Sequence, residues 1–585
     1  MPDEAPRNDN NTPAKLASAK ENSYYFALSG NDKNNGKINT PKKSLEAAVG
    51  LMTSGNHIFF NRGDSWYAEG SSLDLRNRSD FTIDAYGKGR KPVIASLKLL
   101  NDSQWKNVSG SPLWKYEVSG YVDALRLFQD GASGYKVNAT DSSATEKNAD
   151  ELLEWYIKRN EQGDGATIFL NTGQVSARPH KVEVLPARLN RPTVFMKYTQ
   201  RVRIRNIDFR GGGRNEVVMI EAPASDIIID SCIIQEAMGS GIVVTKDTSD
   251  KSLYPSNITI TNNLVDKVWS AHENDPALRS LTGDGIFIVH AADTGIIRGN
   301  TVRNWGHTGI TLTSYLAGYH GVHHFIIEQN DVSSGASGYM HALDINGFEG
   351  LTTNNIIRRN YFHDYSATIH AQGDHNKYYS NIFAGITLTT MPRQHQQPYG
   401  MDLMPWRYRD GNWMAAHDNY IVNNTIVDCE QYPIALSEDP LSTNVMTNNI
   451  IANNVICGFG KSRLGTIGLS VSPDIRGSIF VAHNNFWNND NSAPVARFRN
   501  KDVSLNYTAA QLNNAFPDFC SGNIQEDPRF ADRPRRDFHL TSQSPETLRT
   551  GGTNRYMKEM GNGFVDYFGR PWNKEKPSIG AIQYQ

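Results

Sequence analysis

The sequence predicts an all-β protein built as a solenoid of stacked strands. Short strand-like runs recur, and each ends in an asparagine: Asn263, Asn300, Asn330, Asn360, Asn381, Asn424, Asn454 and Asn485. The steps between them are 37, 30, 30, 21, 43, 30 and 31 residues, an approximate period typical of repeats with loops of varying length. Ile, Val, Tyr and Phe alternate with polar residues in each run, as in half-buried strands. No run could bury its apolar face alone, so the units must stack.

The recurring asparagines are predicted to be structural. We expect each to stand at a turn, to tolerate left-handed backbone geometry and to bond to the backbone of the next coil.

Composition excludes several function classes. The net charge is −2, so no broad field would draw the chain to nucleic acid or anionic membranes. No apolar run reaches the ~18 residues that a membrane span needs. Residues 1–22 are polar and are predicted to be a flexible tail without a signal-peptide core. Our interpretation is a monomeric mature chain, secreted, periplasmic or on the outer cell surface, whose export signal was replaced by a start Met.

The chain divides into four further regions. Residues 23–120 hold an N-terminal cap and the first coils, with a capping helix over Ser44–Met52. Residues 121–200 are less periodic and are predicted to be an inserted β-rich region, with a helix at 150–159. Residues 201–500 form the regular coils, and residues 501–585 close the other end. Four cysteines without CxxC spacing are expected to be buried and unpaired rather than metal-binding.

Both ends of the chain carry a family resemblance. The opening YFALSGNDKNNG, the asparagine-terminated coils and the closing DFHLTSQSP…FGRP…IGAIQ resemble bacterial right-handed parallel β-helix proteins that act on polysaccharides. The resemblance extends from Tyr24 to Ile582 and implies this fold. It does not fix the reaction, because the fold is shared by glycoside hydrolases, polysaccharide lyases, epimerases and phage tailspikes.

Aligning the second strand of each coil brings functional residue types into columns. The aligned strands read GIVVTKD, GIFIVHA, GITLTSY, ALDINGF, TIHAQGD, GMDLMPW and PIALSED. Their second and fourth residues are apolar and should point inward, so the residues between them should face solvent. The first outward column then reads Val243, Phe287, Thr311, Asp344, His370, Asp402 and Ala435. Asn346, Gln372, Asp374, Trp406 and Asp439 should flank it as substrate-binding residues.

Asp344, His370 and Asp402 are the predicted catalytic residues. Neighbouring strands lie ~4.8 Å apart, which puts the two carboxyls roughly 9–10 Å apart with His370 between them. Inverting glycosidases hold their carboxyls about 6.5–9.5 Å apart to admit a water, whereas retaining enzymes need about 5–5.5 Å. One carboxyl would protonate the leaving oxygen, the other would activate water, and His370 would tune both.

Aromatic and cationic residues complete the predicted site. Tyr315 and Trp406 would stack on sugar rings, while Arg393 and Arg407 would bind carboxylated or sulfated sugars. A long insertion carries Glu273, Asp275, Arg279 and Asp284, followed by His290 and His307. This insertion would form a cleft wall or a structural calcium site; no other metal or cofactor is predicted.

Three functions stay open on the sequence alone. The first is an inverting glycoside hydrolase. The second is a polysaccharide lyase, with His370 and Arg393, Arg407 or Lys377 as base and carboxylate-neutralising cation. The third is a non-catalytic carbohydrate binder. The outward columns hold no Lys or Arg, which favours hydrolysis of an acidic or sulfated polysaccharide.

Overall fold

The computed structural model describes most of the chain. The described residues are 22–67, 73–120, 124–137, 149, 151–186, 191–212, 216–237, 239–268, 283–333, 341–365, 369–387, 400–403, 414, 416–436, 446–459, 467–471, 479–489, 492–500, 503–561 and 563–585.

Three long sheets, here called sheets I, II and III, wind around one apolar core. One coil shows the plan: Ala291–Arg298 lies in sheet I, Thr301–Arg303 in sheet III and Thr308–Ser314 in sheet II. The chain then returns to sheet I at Gly321–Glu328, which pairs in parallel with Ala291–Arg298. The predicted solenoid is therefore a parallel β-helix.

The strands of each sheet follow chain order. Sheet I contains Asn22–Phe26, Asn56–Asn61, Ser79–Tyr86, Thr199–Arg205, Ala224–Asp230, Ser256–Thr261, Ala291–Arg298, Gly321–Glu328, Thr352–Thr353, Ile356–Arg358, Gly373–Asp374, Lys377–Tyr379, Ala416–His417, Tyr420–Val422, Met446–Thr447, Asn449–Ala452, Ile479–Ala482 and Cys520–Ser521. Sheet II contains Leu73–Asp74, Val194–Met196, Glu216–Glu221, Ser240–Thr245, Ile286–Val289, Thr308–Ser314, His341–Gly347, Ile369–Ala371, Met401–Asp402, Ile434–Leu436, Leu469–Val471, Ala496–Asn500 and Val503–Tyr507. Sheet III contains Ser65–Tyr67, Val93–Ala95, Asp208–Arg210, Ile233–Ala237, Leu264–Val268, Thr301–Arg303, Asp331–Ser333, Tyr361–Tyr365, Ile382–Ile386, Thr425–Cys429, Val455–Phe459 and Asn485–Trp487.

Alternate residues of these strands fill the core, as the period-two pattern predicts. The predicted inward pairs of sheet II are all buried to within about 1% of full coverage: Ile286/Ile288, Ile310/Leu312, Leu343/Ile345, Ile369/Ala371, Met401/Leu403 and Ile434/Leu436. They belong to a single apolar cluster that extends from Phe26 to Cys520. The four cysteines are buried and free, as predicted.

The recurring asparagines form a hydrogen-bonded ladder at the corner between sheets I and III. The Oδ1 of Asn360 accepts from the backbone N–H of Asn330 at 3.1 Å and from its Nδ2 at 2.9 Å, while Asn360 Nδ2 donates to Ile327 O. The same pattern joins Asn263, Asn300, Asn330, Asn360, Asn381, Asn424, Asn454, Asn484 and Asn523. The predicted structural role is confirmed.

Two details of the asparagine prediction are wrong. The ladder takes Asn484 rather than Asn485, whose amide instead bonds to the backbone of Glu526. The left-handed residue is the one before each ladder asparagine, such as Gln329 at φ 56° or Arg359 at φ 57°. A second ladder that the sequence did not indicate joins Asn355, Asn376, Asn419 and Asn449.

A helix covers each end of the core. Leu45–Leu51 begins after the N-cap Ser44, whose side chain accepts from the N–H of Ala47, so the predicted capping helix is confirmed. Ala509–Ala515 begins with a capping box at Thr508 and packs at the other end. The other helices in the described part of the chain are short: Asp102–Gln104, Arg533–Arg535, Glu546–Thr550 and Met557–Met560. No described helix is long and apolar enough to cross a membrane.

Two further sheets, the first antiparallel and the second mixed, interrupt the early coils. One contains Lys98–Leu99, Ala124–Gln129, Ala132–Ser133 and Val182–Pro186, and the other Lys106–Asn107, Leu113–Ser119, Tyr135–Lys136, Glu154–Arg159 and Gly165–Asn171. The predicted boundary at residue 121 falls inside this region. The helix predicted at 150–159 is wrong: Glu154–Arg159 is a strand that pairs antiparallel with Gly165–Asn171. Trp155 and Ile157 are spaced two residues apart, which is the period of a strand and not of a helix.

The closing segment does more than close an end. After Asn523 the chain runs back along sheets I and III, with a small hairpin of Phe530–Asp532 and Asp537–Leu540. It covers apolar side chains on the outer face of sheet III, among them Ile382, Val427 and Val455. This outer apolar face explains why the segment packs along the solenoid.

Candidate active site

The predicted site column exists in the structure. In sheet II, Thr311 is paired with Asp344, Asp344 with His370, His370 with Asp402, and Asp402 with Ala435. The column continues in the other direction through Phe287 and Val243, as the alignment predicts. The second column follows the prediction from Thr245 through Val289 and Thr313 to Asn346.

These side chains point away from the core, but they do not face open solvent as expected. Asp344 is 7% exposed, Asp402 4% and Gln372 0%. The polar groups cover one another, because each packs against a neighbour from the same or the next coil. A covered site strengthens the electrostatic interactions inside it.

His370 connects to Asp402 directly. Its Nδ1–H donates to Asp402 Oδ1 at 2.8 Å, and Gln372 Nε2 approaches the same oxygen at 3.4 Å. Asp344 has a separate partner, since Asn346 Nδ2 donates to its Oδ1 at 2.5 Å. The hydroxyl of Thr313 in turn donates to the Asn346 amide oxygen and fixes its orientation. Asn346 and Gln372, predicted to flank the column, therefore each hold one carboxylate.

Charge and burial act in opposite directions on His370. Burial alone lowers the pKa of this imidazole, but the charge and hydrogen bond of Asp402, together with the charge of Asp344, raise it to about 9. Burial raises the pKa of Asp344, and the cationic His370 and His307 offset only part of this rise. The histidine is thus protonated at neutral pH, and Asp344 is the carboxyl that burial biases toward its protonated form.

Three further titratable residues extend the site toward the start of the strands. The ring of His341 lies 4.4 Å from that of His370, and the ring of His307 lies 5.9 Å from that of His341. His307 Nδ1 lies 2.8 Å from Asp284 Oδ1. Burial lowers the pKa of His307, but Asp284 and Asp344 outweigh burial and raise it above its ordinary value.

The sequence held a signal for this extension that the alignment did not use. Asp284 and His341 each stand directly before the small residue that opens a sheet II strand, Gly285 or Ala342. Ser240 and Thr308 occupy the same position in their coils, and the structure pairs Thr308 with His341. The alignment begins at the small residue and so omits this polar column; the sequence predicts Asp284 and His307 only as part of a cleft wall or a calcium site.

Asp374 does not lie in the site column. Gly373–Asp374 is a strand of sheet I, where Asp374 is paired with Thr353 and His417 and accepts from the backbone N–H of Gly350 at 2.6 Å. Its predicted position flanking the site column is therefore wrong. The cause is the shortness of Ile369–Ala371, after which the chain turns at Gly373, φ 75°, straight into sheet I.

The structure describes only some of the other predicted binding residues. Tyr315 follows the strand Thr308–Ser314, and its ring lies 4.5 Å from that of His290 in an edge-to-face contact. Lys377, considered as a lyase cation, lies in sheet I instead of the site sheet. Arg393, Trp406, Arg407 and Asp439 lie outside the described residues.

The calcium prediction also stays a prediction. Glu273, Asp275 and Arg279 lie outside the described residues, and the described Asp284 contacts His307. Within the described part of the chain, no group of three or more His, Cys, Asp or Glu side chains is arranged to hold a metal ion.

Comparisons with known proteins agree with this architecture. A family model described as "right handed beta helix region" matches residues 284–508. The chain is a right-handed parallel β-helix. The resemblance to β-helix proteins is thereby confirmed, and the matched residues include the site column from Phe287 to Ala435.

Solved structures resemble the chain in fold at low identity. A complex of XylC with xylose matches at 13% identity over 87% of each chain, with a TM-score of 0.50. Pectate lyase Pel9A matches at 13% identity over 97% of each chain, with a TM-score of 0.45. A GH136 lacto-N-biosidase from Eubacterium ramulus matches at 13% identity over 82% of this chain and 65% of its own, with a TM-score of 0.38. No curated protein sequence matches the chain.

Proposed function

We propose that this β-helix is a polysaccharide-cleaving enzyme of the secreted or cell-surface compartment, and that it hydrolyses a glycosidic bond with inversion. One observation carries the proposal: Asp344 and Asp402 stand two coils apart in one column, with His370 paired to both. Strand spacing puts the carboxyl groups roughly 9–10 Å apart, at the upper edge of the range that leaves room for a water.

The surroundings of the two carboxyls assign them different roles. Asp344 is the general acid, because burial raises its pKa and favours the proton that the leaving oxygen needs. Asp402 is the general base, because the donors around it, His370 and Gln372, orient its carboxylate toward a water. His370 acts as a positioning residue that holds Asp402.

The same electrostatics favour hydrolysis over elimination. A lyase base must accept a proton from the sugar ring, but the pKa of His370 is raised to about 9, so this imidazole already carries its proton at neutral pH. Lys377, one alternative cation, lies on another sheet. A saccharide is also the first substrate class to test because the XylC structure, which shares this fold, contains xylose.

The test uses xylan, polygalacturonate and carrageenan as neutral, uronate and sulfated substrates. We expect wild-type protein to release reducing ends from at least one of them, and Asp402→Asn to lose about 10²–10⁴-fold of that rate. Asp518→Asn, a substitution of an exposed aspartate beside the helix Ala509–Ala515 and outside the site column, is the matched control and should keep full activity.

Product analysis decides between the three functions. NMR of the first-formed anomer should show inversion for the proposed hydrolase. An unsaturated, ultraviolet-absorbing product would replace the proposal with a lyase. Binding to a glycan without any turnover by wild-type protein would replace it with a carbohydrate binder.

A further inference from the structure

A second cluster of cationic and aromatic side chains lies beyond the ends of the sheet II strands. The ammonium groups of Lys246 and Lys251 each lie 5.2 Å from the centre of the Tyr319 ring. Because both nitrogens lie 5.2 Å from the same ring centre, the distance between them is at most twice 5.2 Å. The imidazole of His290 completes the cluster, with its ring 4.5 Å from Tyr315 and 6.4 Å from Tyr319.

Within the described residues, no ion pair balances the positive charge of this cluster. Among the residues that the structure describes, none forms an ion pair with Lys246 or Lys251. The carboxylate whose charge acts on Lys246 is Glu221, and Glu221 is already bound to Lys197 at 2.6 Å. Asp247, the next residue, is bound to Lys197 at 2.7 Å. Two cations therefore share one aromatic ring, while Glu221 and Asp247 are both bound to Lys197 and Asp250 accepts hydrogen bonds from Ser252.

Burial makes this arrangement costly without an anion. Lys246 is half-buried, and burial lowers the pKa of its ammonium group. His290 is 7% exposed, its Nδ1 has no hydrogen-bond partner, and burial together with the charge of Lys246 lowers its pKa to about 3. A buried polar atom without a partner is rare in folded proteins and calls for a specific explanation. His290 and Lys246 both lie around the Tyr319 ring, and the charge of Lys246 acts on the imidazole.

The cluster lies just beyond the end of the sheet II row that contains Asn346. Thr245, Val289, Thr313 and Asn346 are successive partners in sheet II, and Lys246 and His290 each directly follow a member of this row. Asn346 holds Asp344, so Lys246 stands three coils from the proposed general acid, roughly 14 Å along the helix axis. Each coil spacing is close to the length of one sugar unit, which puts the cluster a few units from the cleaved bond.

We propose that Lys246, Lys251 and the rings of Tyr315 and Tyr319 form a subsite for a negatively charged sugar, a few units from the scissile bond. This subsite rests on the proposed function and narrows its substrate class to anionic glycans. The ammonium groups bind the carboxylate or sulfate, the tyrosine rings contact the sugar face, and His290 bonds to a hydroxyl or a bridging water.

The test measures binding, with turnover blocked by Asp344→Asn. The probes are oligogalacturonate, its fully methyl-esterified form, a carrageenan oligosaccharide and its desulfated form. Each charged probe thus has a neutral partner of the same length. In this background Lys246→Gln should weaken the charged probes about tenfold and leave their neutral partners unchanged, whereas Lys246→Arg should retain binding. Lys251→Gln, an exposed substitution, should show a smaller loss in the same direction.

Controls and contrary outcomes are defined by the paired probes. Lys106→Gln, in the mixed sheet that interrupts the early coils, should change nothing. Equal weakening of charged and neutral probes by Lys246→Gln would overturn the subsite, as would unchanged binding in both Lys→Gln variants. A loss with oligogalacturonate alone assigns a uronate ligand, and a loss with carrageenan alone assigns a sulfate ligand. Because binding is measured without turnover, absence of any cleavage by wild-type protein would overturn the proposed function while leaving this result to stand.

Discussion

The asparagine ladder and the Asp344–His370–Asp402 column are two polar columns of one solenoid, and each places one residue per coil. The ladder repeats a single neutral side chain whose donors and acceptor match those of its neighbours, as Asn330 and Asn360 show. The site column alternates acid, base and acid. In the ladder every side-chain amide is hydrogen-bonded. In the site column, titratable groups are buried, and burial opposes their charged forms.

This difference separates stability from chemistry. Buried amides that are fully hydrogen-bonded carry no titratable group, so the ladder contributes stability over a broad pH range. The site column instead shifts proton affinities, raising the pKa of His370 to about 9 and that of Asp344 above its usual range. Shifted pKa values are typical of functional sites, although structural ion pairs also produce them. Substitutions in the ladder should therefore change the free energy of unfolding, whereas substitutions in the site column should change the activity.

The largest effect should come from Asp344→Asn, measured as activity. We expect a loss of about 10²–10⁴-fold, because the amide cannot donate a proton to the leaving oxygen. The free energy of unfolding at pH 7 should stay level or rise, since burial raises the pKa of Asp344 and the neutral amide removes the cost of an ionised buried carboxyl. If Asp344→Asn kept full activity or clearly lost stability, Asp344 would have a structural role and not a catalytic one.

The next largest effect should be a loss of stability from Asn360→Ala. The substitution removes the acceptor for two donors of Asn330 and the donor for Ile327 O, all buried. At about 1–3 kcal/mol for a buried unsatisfied group, and with partial relaxation, the free energy of unfolding should fall by roughly 2–4 kcal/mol. Asn514→Ala, an exposed helix position, is the matched control. The kcat of the folded Asn360→Ala enzyme should match wild type; a large drop in kcat would show that the columns are coupled.

A third effect concerns pH. The pKa of His370 is raised from 6.5 to about 9, so its pairing with Asp402 stabilises the fold fully below pH 6.5 and this stabilisation is lost as pH rises to about 9. Asp402→Asn should therefore cost about 1–3 kcal/mol more at pH 6 than at pH 9.5. The cost of Asn360→Ala should not change over that range because no titratable group is involved. Chemical denaturation at both pH values provides the measurement, and equal costs of Asp402→Asn at both would contradict the ion pair.

The two columns also differ in how far the sequence predicts them. The alternation of apolar and polar residues, with the small residues that open the sheet II strands, predicts which residues pair with Asp344, His370 and Asp402. This works because the parallel register is maintained from one coil to the next. Covering of these side chains was not predictable, since it depends on contacts such as that between His341 and His370. The end of the sheet II strand at Ala371 is also not predictable from the sequence. The residues from Ala371 to Asp374, where the chain leaves sheet II, have the pattern of a continuing strand.

The smallest effect should come from Asp374→Asn, and it tests that break directly. A continuing strand would put Asp374 two residues beyond Gln372 on the substrate side, where removing its charge would impair activity. The structure puts it in sheet I, with one oxygen bonded to Gly350 N–H. Burial raises the pKa of Asp374, so the neutral amide should leave the free energy of unfolding within about 1 kcal/mol of wild type. We expect kcat/KM within about threefold of wild type, a change of less than ~1 kcal/mol. A loss of kcat/KM comparable to that of Asp344→Asn would show that Asp374 lies in the site. The strand register on which the comparison of the two columns rests would then be wrong.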